Sequence, residues 1–307
     1  MNLTLKTLSL FVTLILCSLA TALGQESESG KLFEGPDVTL YYEVRGAKSG
    51  TPLFVINGGP GVDHTYMHST LQPASALNQL ARKRPVIFYD QRGLGKSPAL
   101  KPGQSCTVAD QVADLDALRA HLGYDRINVL GHSYGGFLAM AYATRFPERI
   151  VNLILSNSMA PKVLDTIFLF SQVYPETNDR MEAIKVVDDA TNRASTMEYL
   201  SMLFYSPEKR AAFLAKVTDA RFNVQVNELI LKDADKLDFW PELPKLRMPT
   251  LVITGRFDMN IAPVISYKMH QAIPNSKFVV FEKSGHLPFY EEQNGFVRLV
   301  ESFLTQK

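Results

Sequence analysis

Thiols are nearly absent from this sequence: its 307 residues include two cysteines, Cys17 and Cys106. Loss of an N-terminal leader would leave Cys106 alone, and a single cysteine forms no internal bridge. Stability must then come from a hydrophobic core. Net charge is equally scarce. The 32 basic and 31 acidic side chains leave +1 overall, which removes any electrostatic case for nucleic acid or an anionic membrane as partner. Internal repeats and low-complexity tracts are missing too, which sets aside solenoid and disordered architectures.

Long apolar runs are limited to one, Leu8 to Ala20. It falls short of the roughly 20 residues that span a bilayer. A single charge precedes it, Lys6, and small residues follow, Ala22 and Gly24. This is the pattern of a secretory signal cut before Gln25. A lipid on Cys17 is disfavoured, because Leu16 stands where a small residue belongs. The expectation is a signal peptide over 1–24, export to a periplasm or the exterior, and no stable membrane anchor after cleavage.

What is present is an ordinary globular composition, 46% hydrophobic, sufficient for a sizeable core. Short apolar runs alternate with helical stretches. Val38–Val44, Leu53–Asn57, Val86–Tyr89, Ile127–Leu130, Val151–Leu155, Thr250–Thr254 and Lys277–Phe281 read as strands, after a polar lead-in over Gln25–Lys31. Thr107 with Asp110 three residues on reads as a box-like helix cap. Phe296, Val297, Val300, Phe303 and Leu304 give a last helix one apolar face. Strand–helix alternation of this kind implies parallel βαβ units with helices on both faces. From about Ala160 to Leu246 no strand is expected. Helices follow one another there, one of them over Arg180–Val187 and another opening at Ser206-Pro207. The domain reading is a core over 25–159 and 247–307 with a helical lid, 160–246, inserted in it.

Chemistry enters at Gly131-His132-Ser133-Tyr134-Gly135. A G-x-S-x-G turn between a strand and a helix holds a serine hydroxyl out at the top of the sheet and aims helix amides at a reacting carbonyl. A serine needs a base, and the base needs a group to orient it. His286 follows the last strand within Ser284-Gly285-His286, and Asp258 follows the strand before it. Ser133, Asp258, His286 is the chain order expected of an α/β-hydrolase. The preceding strand end, Ser156-Asn157-Ser158, offers no carboxylate. His132 is read as structural, pointing away from its neighbour. His64, His68, His121 and His270 are read as satisfied or solvated side chains in helices or their flanks. Gly58-Gly59-Pro60-Gly61 lets a backbone amide approach an oxyanion. Asp90 and Arg92 are read as an ion pair and clamp shaping their own loop, which lacks the lysine placement of a phosphate-binding loop.

These residues together resemble the α/β-hydrolase superfamily and, within it, the prolyl iminopeptidase group of serine peptidases. The resemblance rests on Gly58–Gly61, on Asp90-Gln91-Arg92-Gly93-Leu94-Gly95-Lys96-Ser97, on Gly131–Gly136, on Asp258 and on Ser284–His286. It implies an α/β fold with a mostly parallel central sheet flanked by helices. It also implies oxyanion-hole amides from Gly59 and Tyr134, and a lid that shapes the substrate pocket. Three features depart from the group: Asn57 replaces the usual histidine, and Met259 stands where some members carry a glutamate for the substrate ammonium. Thirdly, the lid carboxylates Glu176, Glu182, Glu198 and Glu228 match no motif. The expected activity is acyl-enzyme hydrolysis by Ser133, His286 and Asp258 on a short peptide or other small molecule, without cofactor or metal. Release of N-terminal residues of the proline type leads. An esterase or lactonase is the enzymatic alternative, and a non-catalytic ligand sensor is the alternative from another class.

Overall fold

The structure is a computed structural model that describes residues 30–68, 75–187, 189–216 and 222–306. The signal peptide expected over 1–24 and its expected cleavage before Gln25 lie outside the described residues. Among those described, no helix is long and apolar enough to cross a membrane.

Eight strands form one sheet: β1 Lys31–Glu34, β2 Thr39–Gly46, β3 Leu53–Ile56, β4 Pro85–Tyr89, β5 Ile127–His132, β6 Ile150–Ser156, β7 Thr250–Gly255 and β8 Ser276–Phe281. Their order across the sheet is β1-β2-β4-β3-β5-β6-β7-β8. β2 pairs antiparallel with both β1 and β4, and every pairing from β4 to β8 is parallel. β3 therefore stands between β4 and β5, where the winding of the sheet reverses. Loops leaving the carboxyl ends of the strands diverge at such a point and leave a crevice for a ligand.

Side chains along a strand alternate between faces, and the core divides accordingly. Phe54 and Ile56 of β3 join one apolar cluster with the helices Val108–His121 and Tyr134–Arg145. Leu53 and Val55 join the other, with the helices Ala76–Leu80 and Gln293–Thr305. Thr107 caps the helix Val108–His121 with the reciprocal Asp110 bonds that its spacing predicts. Phe296, Val300 and Phe303 are the buried face of the last helix. Cys106 is buried and unbridged, and burial pushes its thiol up to about 12.

Two local expectations are corrected. The polar lead-in over Gln25–Lys31 runs into a short edge strand, β1, missed because only Phe33 of its four residues is buried. The helix expected over Arg180–Val187 instead spans Pro175–Ala183. Proline sets its first turn, and Val186 and Val187 are exposed beyond its end, so burial gives two β-branched residues no reason to stay helical. Between β6 and β7 the described segments are helical, with two isolated bridges, Val62–Phe222 and Lys162–Asp238.

Candidate active site

The loops after β3, β5, β7 and β8 converge on one cavity of about 290 Å³, bordered by Gly59, Ser133, Asn260 and His286. Ser133 sits between β5 and the helix Tyr134–Arg145 with φ 55° and ψ −124°. A β-carbon is strained in that region, and such strain persists only where the surroundings enforce it. Here they do. A β-carbon at Gly131 would lie 2.3 Å from the Gly135 carbonyl, and one at Gly135 would lie 2.2 Å from that of Ile56. The strand, the turn and the helix are therefore packed backbone to backbone, and Ser133 takes the one conformation left. Its N–H donates to the Ser156 carbonyl on β6 at 3.0 Å.

Asp258 is fully buried. One carboxylate oxygen accepts from the main-chain amides of Asn260 (3.0 Å) and Ile261 (2.9 Å). The other lies 2.9 Å from His286 Nδ1 and accepts from Asn157 Nδ2 at 2.8 Å. Nδ1 of His286 therefore carries a proton for Asp258, and Nε2 is left as the acceptor nitrogen of the ring. The backbone of His286 is fixed as well, its N–H donating to the Leu203 carbonyl at 2.8 Å. Sequence reasoning missed Asn157. It adopts φ 49° at the end of β6 and braces Asp258 from the strand end that offered no carboxylate. An asparagine at a strand terminus, a residue type that tolerates positive φ, was the available signal.

His132 does not point away. It borders the cavity, its ring centroid 4.7 Å from that of His286. Its Nε2 is 2.9 Å from the His286 carbonyl, which can only accept, so Nε2 carries the proton and Nδ1 accepts from the Tyr66 hydroxyl at 2.8 Å. Tyr66 in turn accepts from the Gly58 N–H at 2.7 Å. This relay runs from the glycine loop to the histidine loop. Burial, with the neighbouring His286 ring second, holds His132 well below the usual histidine range. It is therefore a neutral spacer.

The glycine loop is held from below. Gly59 takes φ +120°, a conformation only glycine adopts freely. Asn57, the departure from the group, donates from Nδ2 to the carbonyls of Val62 (2.7 Å) and Gly58 (3.1 Å) and so pins both ends of the turn. Tyr134 opens the helix, so its main-chain amide has no intrahelical acceptor. Its side chain is fully buried, with the hydroxyl accepting from Gln111 at 3.0 Å.

Asp90 and Arg92 do not pair with each other. Arg92 makes a two-pronged contact with Asp114, Nε to Oδ2 and Nη2 to Oδ1, both at 2.7 Å. Asp90 lies 2.6 Å from His64 Nδ1 and accepts from the Lys96 amide at 2.7 Å. The other ring nitrogen of His64 is 3.5 Å from Glu43. Burial opposes a charge on His64, but Asp90 and Glu43 outweigh it and raise the imidazole to about 9. Burial also disfavours the Glu43 charge, and His64 and Arg45 overcome it and hold Glu43 well below the carboxylate range. His68, buried beside this charge, is pushed well below the histidine range by burial first and by His64 second. Glu43, His64 and His68 bring ligand-type atoms within 4.8 Å of one another. Arg45 and Tyr41 already occupy the Glu43 carboxylate, and the cluster is accounted for as a buried ion pair that anchors the turn carrying Tyr66. His121 packs on Phe33, and His270 bonds Ser276.

The cavity wall is apolar, with Val62, Met159, Leu203, Phe213 and Ile261 among its side chains, and its polar groups are neutral: Tyr66, Tyr199, Asn227 and Asn260. Among the described residues no aspartate, glutamate, lysine or arginine borders it. Glu198 pairs with Arg180 at 3.0 Å, Glu182 bonds Asn178 at 2.9 Å, and Glu176 and Glu228 are exposed.

The alpha/beta hydrolase fold family matches residues 51–293. The chain belongs to that family. Among curated relatives it is similar to a proline iminopeptidase of Saccharolobus solfataricus, 30% identical over 88% of this chain and 90% of the relative. One of Lactobacillus helveticus is 31% identical over 87% and 94%. This α/β-hydrolase therefore falls in the proline iminopeptidase-like group, and it is a hydrolase. Solved structures agree on the fold. A hydrolase from Bacillus anthracis superposes with a TM-score of 0.75 at 23% identity, covering 90% of this chain and 99% of that one. An esterase from Thermogutta terrifontis gives 0.70 at 24%, covering 90% and 98%.

Proposed function

We propose that the chain is a serine hydrolase that transfers a compact, uncharged acyl group to Ser133 and then to water. His286 Nε2 takes the serine proton and passes it to the leaving group. Asp258 holds the imidazole in the tautomer this requires and stabilises its charge once protonated. The amides of Gly59 and Tyr134 receive the oxyanion. No metal or cofactor has a part in these steps.

One observation carries the substrate reading: the wall around Ser133 is apolar and its polar groups are neutral. A buried charge needs a partner, and an acyl group without one suits this wall. Small acyl esters are the substrates that fit best. The second reading, release of an N-terminal prolyl residue, is favoured by the curated relatives, and the apolar wall suits a pyrrolidine ring. There the imino nitrogen would rest on neutral amide and phenol oxygens such as those of Asn227 and Tyr66. Turnover of p-nitrophenyl acetate and butyrate, compared with prolyl and alanyl arylamides and their N-acetyl forms, separates the two. Faster ester turnover and no preference for a free N-terminus are expected. Strong preference for the free prolyl arylamide would overturn the first reading in favour of the second. Export with cleavage before Gln25 belongs to the same proposal, and a mature protein that retains Leu8–Ala20 would sink it.

A further inference from the structure

The lone pair on His286 Nε2 is not offered to Ser133 in the unliganded molecule. Among the described residues no hydrogen bond joins the two side chains, and the donor bonded to Nε2 is Asn260, whose Nδ2 lies 3.2 Å away. The same Nδ2 donates to the Tyr199 hydroxyl at 3.0 Å. Tyr199 belongs to the helix Asp189–Ser201 of the segment between β6 and β7. The main chain of Asn260 is fixed independently by its bond to Asp258, and the residue is almost fully buried.

We propose that Asn260 is a positioning residue for the catalytic base: its amide occupies Nε2 of His286 in the resting enzyme, and Tyr199 ties that contact to the helical segment over the site. The inference rests on the serine-hydrolase reading above. The amide orientation follows from the tautomer. Nδ1 carries the proton bonded to Asp258, so Nε2 accepts, and only the NH₂ end of Asn260 can face it. A donor at Nε2 stabilises the neutral imidazole, because a protonated Nε2 could accept nothing. It also competes with the serine hydroxyl. Proton transfer from Ser133 Oγ to Nε2 therefore requires Asn260 to let go, and a substrate that displaces Tyr199 removes the anchor keeping it there. The other groups facing His286 do not substitute for this control. Asp258 bonds the opposite nitrogen. His132 is kept neutral by burial. Burial holds the Tyr199 phenol protonated. Glu291 spends an oxygen on the Gly285 amide at 2.6 Å.

The test is the pH profile of kcat/KM on p-nitrophenyl acetate for the full chain and for Asn260→Ala, Asn260→Asp and Tyr199→Phe, with Ser133→Ala and fluorophosphonate labelling as controls. The acid limb of kcat/KM reports the base of the free enzyme. Removing the donor should move that limb up by about half to one pH unit in Asn260→Ala. Asn260→Asp, which puts an acceptor beside the imidazolium, should move it further. Tyr199→Phe should move it in the same direction by less. An unmoved limb with a lowered plateau and melting temperature would mean a merely structural role and overturn the proposal, as would a limb that moves down. Should Asn260→Ala fail to fold, Tyr199→Phe alone decides, and an unmoved limb there overturns it. The underlying reading fails separately: its failure shows as unlabelled Ser133 or as hydrolysis retained by Ser133→Ala.

Discussion

The sheet core and the helical segment between β6 and β7 use charge in opposite ways. In the core, Arg92 and Asp114 meet through two 2.7 Å bonds, with the arginine 3% and the aspartate 8% exposed. In the segment, Arg180 and Glu198 meet at 3.0 Å with 57% and 29% exposed. The core pair is committed: each partner is buried and has its stereochemistry fixed. The segment's pair is screened by water and gains little. Apolar side chains show the same contrast. Leu164, Phe168 and Val187 stand in solvent, whereas β3 to β7 are buried almost throughout. A tightly packed base thus supports a more loosely packed cover.

The largest effect that would break this division concerns the chemistry. Ser133→Ala and His286→Ala should each reduce turnover on the order of 10⁴-fold or more, with the double variant little worse, since the two act as a unit. Steady-state rates on one ester check this, and multiplicative losses would mean that one residue is misassigned. Next comes the contrast in ion pairs. Arg92→Ala leaves Asp114 buried and unpaired, which should cost about 3–5 kcal/mol in urea unfolding, whereas Arg180→Ala should leave the midpoint unchanged. Similar losses for both would erase the distinction drawn here.

The smallest effect is the pH dependence of stability. His64 is raised to about 9 from 6.5, so its contribution is complete below about pH 6.5 and is lost as pH rises through 9. His68 and His132 are depressed by burial. Below about pH 6.5 the unfolded chain takes up protons that these two refuse in the fold, and stability falls on that side too. Melting temperature should therefore peak near neutrality, and His64→Gln should flatten the alkaline side. An unchanged alkaline slope in that variant would show that His64 is not charged in the core.

Legibility in the sequence follows the same boundary. β3 to β7 could be read because each is a short apolar run ended by glycine, asparagine or aspartate, and buried almost throughout. β1 could not, since an edge strand with one buried residue carries no period. The helix boundary at Ala183 depends on what Val186 and Val187 lack in three dimensions, which no local pattern records. At the site, Ser133, Asp258 and His286 were legible because each follows a strand. Tyr66, Asn157 and Asn260 were not. They act through hydrogen bonds between positions far apart in the chain, and Asn157 reaches Asp258 from 101 positions away. His132 was misread because its neighbour's geometry was used to aim it, whereas the Tyr66 hydroxyl and the His286 carbonyl decide where it lies.

One further carboxylate bears on how substrate reaches the serine. Glu291 is buried and gathers main-chain amides from two separate stretches: Gly285 at 2.6 Å, one residue before His286, and Tyr205 and Ser206 at 3.0 and 2.9 Å, where the cover meets the core. The Leu203 carbonyl completes the seam by accepting from His286 itself. Mechanically this edge is a weld. Prising it open would unseat the base in the same movement, so an open door here would be a disarmed one. Passage for a substrate and for its products has to be made along the remainder of the rim, with the weld as the fixed jamb.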